Sequence, residues 1–233
     1  MKQKALGILG GLGPLASVEF LKTIYELNLT DSEQESPICF LYSNPTIPKR
    51  SETIAAGKSQ ILLDFLIAAL EQLCQMGSTK IVIVCLTMHH FLPQLPAYFQ
   101  DTVISLVDII IKEVLKHQHK YLLLSSTGTH QTNIFTRHPQ WNLIEPYLIL
   151  PKESDRDLIH NCFEEIKINS SKKSALEFVD KMVDKYEVDG WIGACSELHI
   201  LHKYLLNLEG RKRADKIIDP LLILAQNFND FLN

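Results

Sequence analysis

Two of the five cysteines stand where a thiol could do chemistry instead of filling a core. Cys85 closes the apolar run Ile81-Val82-Ile83-Val84 and opens Cys85-Leu86-Thr87-Met88-His89; Cys195 closes a second run, Val188 to Ala194, and opens Cys195-Ser196-Glu197-Leu198-His199. A thiol has an unperturbed pKa of about 8.5, so one member of a pair can be thiolate while the other keeps its proton, above all near a helix N-terminus or a cation. Two such groups on opposite sides of a carbon can take a proton from one face and return one to the other. The carbanion between those steps is poorly stabilised by itself, so a neighbouring carboxylate has to be held by backbone N–H groups, Arg or Lys. Arg50 and Lys167 are candidates for that task.

Other residue types admit other chemistry. Cys39, Cys74 and Cys162 read as small buried hydrophobes, the ordinary fate of a free cysteine. An odd number of cysteines without CxxC spacing argues against a disulfide framework or a zinc ribbon and for reduced thiols in the cytoplasm. His89 and His90 are neighbours whose side chains diverge on a helix, and no acid stands at ligand spacing, so no metal is expected. Glu197 is either a first-turn helix acid or a group that polarises the adjacent thiol or a histidine. Gly11-x-Gly13-x-x-Ala16 has the form of a dinucleotide fingerprint, but the following strand ends in Tyr42-Ser43-Asn44 without a ribose-binding acid, and Pro14 stiffens the turn, so no nucleotide cofactor is expected.

The elements that would position these groups alternate between strand and helix. Lys4 to Leu9 reads as a buried strand, Gly10 to Gly13 as a turn, and Pro14 as the first residue of a helix. Ile38 to Tyr42 and Lys80 to Val84 read as strands, Ile54 to Met76 as one long helix stopped by Gly77, and Val103 to Val107 as a further strand. The second half repeats the plan: strand Tyr121 to Leu124, a polar turn, strand Tyr147 to Leu150, helices over Asp155 to Ile166 and Lys173 to Tyr186, then strand Val188 to Ala194. Continuous Ile/Val runs suit parallel strands covered on both faces. Gly7 lies 78 positions before Cys85 and Tyr121 lies 74 before Cys195, the near match of an internal duplication. The expectation is an α/β protein of two pseudo-symmetric lobes, 1–104 and 105–219, with a final helix from Pro220 packing back on the first. Ligands of open parallel sheets sit beyond the carboxyl ends of the strands, which would bring both cysteines to one cleft.

With 46% hydrophobic residues the chain can bury a substantial core. A net charge of −4 and the lack of a basic run exclude the footprint of a nucleic-acid binder, and the short apolar stretch at the N-terminus is too brief for a membrane span. A small polar or acidic ligand remains.

In order along the chain, several segments resemble the aspartate/glutamate racemase family, nearest its aspartate racemase branch. Gly10-Gly11-Leu12-Gly13-Pro14-Leu15-Ala16-Ser17 is similar to the family's G-G-M-G-P-x-A-T, Ile47-Pro48-Lys49-Arg50-Ser51 to I-P-D-R-T, Cys85-Leu86-Thr87-Met88-His89 to C-N-T-A-H, and Gly193-Ala194-Cys195-Ser196-Glu197-Leu198 to G-C-T-E-L. Ser126-Thr127-Gly128-Thr129 with Thr132 and Phe135 resembles T-x-G-T…S…Y, and Glu164-Glu165-Ile166-Lys167 the segment with a substrate-binding lysine. The resemblance implies a cofactor-independent homodimeric racemase in which Cys85 and Cys195 are the acid/base pair. It further implies substrate contacts from Leu12, Arg50, Leu86, Thr87, Thr129, Lys167 and Ser196, with His89 or Glu197 assisting. Leu86 replaces the family's asparagine and removes an amide, leaving only its backbone N–H to donate; Lys49 replaces the usual acid before Arg50. Two other outcomes on such a scaffold are a decarboxylase or dicarboxylate cis-trans isomerase that relies on one cysteine, against which the second cysteine speaks, and a non-catalytic ligand-binding paralogue, which Leu86 makes possible.

Overall fold

In the computed structural model the described residues are 4–168, 171–210, 212–213 and 216–232; the chain ends assigned above to the lobes, residues 1–3 and 233, lie outside them. The chain runs through β1 (Ala5–Gly10), α1 (Pro14–Leu27), β2 (Ile38–Ser43), α2 (Arg50–Ala55), α3 (Ser59–Gln75), β3 (Lys80–Ile83), β4 (Val103–Ile104) and α4 (Leu106–His117). It continues through β5 (Tyr121–Ser125), α5 (Thr127–Thr132), α6 (Trp141–Ile144), β6 (Leu148–Ile149), α7 (Glu153–Lys167), α8 (Lys172–Lys185), β7 (Gly190–Ala194), α9 (Glu197–Glu209), β8 (Ile217–Ile218), α10 (Pro220–Gln226) and α11 (Phe228–Leu232). The strands form two parallel sheets of four, ordered β2-β1-β3-β4 and β6-β5-β7-β8, so each half of the chain repeats one topology. In the first, Gly7 pairs with Ile81 and Phe40; in the second, Leu122 pairs with Trp191 and Ile149.

Because successive strand residues point to opposite faces, each sheet buries two sets of side chains. Leu6, Ile8, Val82 and Val84 join Tyr121, Leu123, Ile192 and Ala194 in one core shared by both sheets and closed by α1, α4, α10 and α11. The alternate set of the first sheet, Leu9, Ile81 and Ile83, packs on α3. That of the second, Leu122, Leu124 and Trp191, packs on α7, α8 and α9. This is why the Ile/Val run before Cys85 has no polar alternation.

Three of the expected elements differ. The long helix over Ile54 to Met76 is two helices, parted at Gly57, whose φ of +70° ends α2 and redirects the chain. Val103 to Val107 contributes only a two-residue strand, because the Ser105 side chain accepts from the Asp108 N–H and starts α4; β-branched residues at 103–111 read locally as strand, and the cap decides otherwise. The final helix breaks between Gln226 and Phe228; α10 packs on α1 and α4. One residue-level expectation also fails: Cys74 is exposed on α3, facing away from the core stripe of Leu62, Leu66, Leu70 and Leu73, while Cys162 is buried and Cys39 half-buried. Among the described residues no helix is long and apolar enough to cross a membrane, and no group of three His, Cys, Asp or Glu residues could hold a metal ion.

Candidate active site

β3 and β7 occupy equivalent positions beside the central strands, and each delivers its cysteine to the start of a helix. Cys85 is the extended residue before a 3-10 helix over Leu86–Gln94; Cys195 lies two residues before α9. Both line one cleft of about 500 Å³ at the carboxyl ends of the two sheets, together with Gly11, Leu12, Gly13, Arg50, Leu86, Thr87, Ser126, Thr129, His160, Glu164, Lys167, Ser196 and Glu197. Of the residues expected at the site, all but His89 reach this cleft.

The glycine turn makes the floor. Gly11 has a φ of +83°, and a Cβ there would lie 2.3 Å from the backbone nitrogen of Asn44, so only glycine fits. Its N–H donates to Ser17 Oγ (3.3 Å), which donates in turn to the Gly13 carbonyl (2.9 Å), fixing the turn to the first turn of α1. Arg50, at the start of α2, donates from Nη2 to the Leu12 carbonyl, which anchors its guanidinium over the turn.

Three hydroxyls join the two halves. Thr87 Oγ1 lies 3.0 Å from both Ser126 Oγ and Thr129 Oγ1, which are 3.1 Å apart, and Ser126 also caps α5. Nearby, the Gly128 N–H donates to Ser51 Oγ (3.0 Å), tying α5 to α2. Hydroxyl hydrogens rotate, so the ring can turn donors toward a carboxylate in the cleft. On the opposite wall α7 presents His160, Glu164 and Lys167 at helical spacing, and Lys167 Nζ pairs with Glu164 Oε1. Burial would lower the Lys167 ammonium, but the Glu197 carboxylate, Cys195 and Glu164 outweigh it and hold the ammonium above its ordinary value.

The two thiols have different surroundings. Cys195 Sγ donates to Glu197 Oε2 at 2.9 Å, and Ser196 Oγ donates to the same oxygen at 3.2 Å. Burial first, then the Glu197 charge and its hydrogen bond, push the Cys195 thiol well above its usual value, with Lys167 opposing. The expectation that a nearby helix N-terminus or cation would favour its thiolate therefore gives way to a resting thiol. Glu197 stands in the first turn of α9, and its carboxylate turns back to the thiol and the Ser196 hydroxyl.

His89 is the correction at the first cysteine. It lies outside the cleft, buried, with Nδ1 3.1 Å from the Cys85 carbonyl and Nε2 accepting from the Leu106 N–H at 3.1 Å. Since Nε2 accepts, the proton is on Nδ1 and is donated to Cys85. Burial lowers the ring to about 4 and keeps it neutral. Its role is to bind the Cys85 turn to the start of α4.

Sequence reasoning missed three contributions. Ser126 lies in the polar turn after β5, where a serine three residues before Thr129 is a cap signal. His160 and Glu164 share a helical face with Lys167, a spacing that could have found them. Gly13 is the third: its φ of −159° suits any residue, but a Cβ would sit 2.3 Å from Glu197 Oε1. Gly13→Ala should therefore leave the backbone unstrained, cost about 1–3 kcal/mol by overpacking, and push Glu197 off Cys195. Thermal unfolding together with activity checks this; a folded variant at wild-type rate would refute it.

The model of the Asp/Glu/hydantoin racemase family matches residues 9–227. The chain belongs to that family. The structure is similar to the Picrophilus torridus aspartate racemase, with 22% identity and a TM-score of 0.77 over 97% of this chain and 94% of that one. An aspartate racemase homologue from Pyrococcus horikoshii OT3 matches at 20% identity and TM-score 0.67 over 99% of each chain. The glutamate racemase of Campylobacter jejuni matches at 16% and 0.58 over 98% of this chain and 84% of that one. At these identities the likeness is one of fold: this family member shares their two-sheet α/β architecture.

Proposed function

We propose that the protein is a cofactor-independent racemase of amino acids, with aspartate and glutamate first among its substrates, working by two-base proton transfer between Cys85 and Cys195. What supports this reading above all is the cleft itself: two cysteines at equivalent strand ends of two like sheets, with Arg50, Lys167 and a ring of hydroxyls around them. One thiolate takes the α-proton and becomes a thiol; the electron pair passes into the carboxylate, and the opposing thiol gives its proton to the other face of the carbon. The two sulfurs end with their charges exchanged, ready for the opposite enantiomer. Arg50, the hydroxyl ring and the N–H groups after Cys85 and Cys195 stabilise the doubly negative carboxylate that forms in transit. The aspartate racemases among its structural neighbours support an acidic substrate.

The deciding assay follows loss of optical activity across a panel of L- and D-amino acids with purified protein. Racemisation of at least one, without added pyridoxal phosphate, is expected; none across the panel would reject the reading. Arg50→Ala should raise KM for an acidic amino acid by about 10- to 100-fold, the loss expected when a charged hydrogen bond worth roughly 1.5–3 kcal/mol is removed. Unchanged KM and kcat would remove Arg50 from the binding site.

A further inference from the structure

A second buried polar cluster lies behind the cleft and ties α9 to α1 and to the start of α10. Asp219, at the end of β8, accepts the Leu221 and Leu222 N–H groups on Oδ1 and faces His199 Nδ1 (2.8 Å) and His202 Nδ1 (3.2 Å) with Oδ2. Four donors occupy its lone pairs, so it is an ionised carboxylate and both Nδ1 atoms carry hydrogen. Burial would raise the Asp219 carboxyl, but the charge and hydrogen bond of His199 and the hydrogen bond of His202 hold it well below the usual range. The far nitrogen of His199 lies 3.1 Å from Thr23 Oγ1 on α1. That hydroxyl has a single hydrogen and gives it to the Glu19 carbonyl at 2.8 Å, the back-bond usual for a helical threonine. The rotatable Thr23 hydroxyl thus stands between the Glu19 carbonyl and the His199 ring, whose other nitrogen is held by Asp219. Among the described residues His202 Nε2 has no hydrogen-bond partner, and Asp219, His199 and His202 are all almost fully buried.

We infer that His199, hydrogen-bonded to Asp219 on one side and to Thr23 on the other, is a positioning residue that clamps the first turn of α9 onto α1 and so holds Glu197 against Cys195 and Gly13. The geometry carries this. His199 stands two residues after Glu197, packs edge-on against Phe20 of α1 and reaches Thr23 on the same helix, which starts from the Gly13 turn that Glu197 approaches. The first turn of α9 is thus held against the middle of α1 and against the turn that opens it, and a shift there moves the carboxylate off the thiol.

The kinetic part of this inference rests on the racemase reading; the structural part does not. Asp219→Asn and Thr23→Val should each release Glu197. Iodoacetamide should then alkylate Cys195 several-fold faster relative to Cys85, and kcat should fall roughly tenfold to a hundredfold with KM little changed. Thr23→Ser, which keeps the hydroxyl, should behave as wild type. A cooperatively folded Asp219→Asn or Thr23→Val with the wild-type alkylation ratio would overturn the inference, whatever its kcat. If the wild type racemises nothing, the functional reading fails, and the alkylation ratio still decides this one.

Discussion

Cys85→Ser and Cys195→Ser are each expected to abolish net racemisation, with losses of at least roughly 10²- to 10⁴-fold, because a hydroxyl is far too weak an acid or base near neutrality to replace a thiol. Both changes are nearly isosteric, so the fold should persist. Cys85 sits at the end of β3 with its carbonyl already fixed by His89, and Cys195 at the end of β7; neither backbone depends on sulfur. The informative measurement is exchange of the α-proton in deuterated water. Each variant retains one thiol and should wash deuterium into only the enantiomer whose α-hydrogen faces it, so the two variants should show opposite preferences. Net kcat/KM must fall equally for both enantiomers in each variant, since enantiomers have equal free energy in water and the ratio of the two constants is fixed. The effects should also be non-additive: the double variant should racemise no more slowly than either single one, because each removes the same two-step transfer. A correctly folded single variant at wild-type rate would end the paired-thiol mechanism.

How much of this was legible beforehand follows from what each signal depends on. The strands before Cys85 and Cys195 were readable because parallel strands buried on both faces leave an uninterrupted apolar run, and the matching offsets of the two halves pointed to two similar sheets. The break of Ile54 to Met76 into two helices was not, since Gly57 is a single residue whose positive φ overrides a helical pattern on either side. The start of α4 depended on one serine cap against a run of strand-favouring residues. Within the site, Arg50, Thr87, Thr129 and Lys167 were found through ordered motifs, and all line the cleft. His89 illustrates the limit: it stands four residues from a cysteine in sequence, yet its ring is used up by the Cys85 carbonyl and the Leu106 N–H, and nothing local in the sequence reports that Leu106 is there. Asp219 and Thr23 were invisible for the same reason, being 20 and 176 positions from the histidine they meet.

The unequal surroundings of the two thiols lead to the second large effect, that of Glu197→Gln. In the resting protein Cys195 keeps its proton because burial and a carboxylate 2.9 Å away both disfavour its anion. To act as a base it must lose that proton without adding a second buried charge, and Glu197 Oε2 is placed to receive it, leaving a thiolate beside a neutral acid with the same total charge as before. An amide at position 197 cannot take the proton. Two opposite changes are therefore expected from one substitution. With the like charge gone, the Cys195 thiol should titrate at lower pH, and its alkylation at a fixed neutral pH should become at least several-fold faster, since the thiolate is the reacting form. Racemisation should nevertheless fall by roughly 10²- to 10³-fold, as expected when a positioned proton acceptor is removed. The loss of kcat/KM should again be equal for both enantiomers, while α-proton exchange should fall most for the one whose proton Cys195 removes. Alkylation rates across pH, read for Cys195 and Cys85 separately by mass spectrometry, give the first quantity, and polarimetry with deuterium exchange gives the others. A more reactive Cys195 accompanied by faster racemisation would mean that Glu197 only restrains the thiol, and an unchanged alkylation profile would mean that it does not act on Cys195 at all.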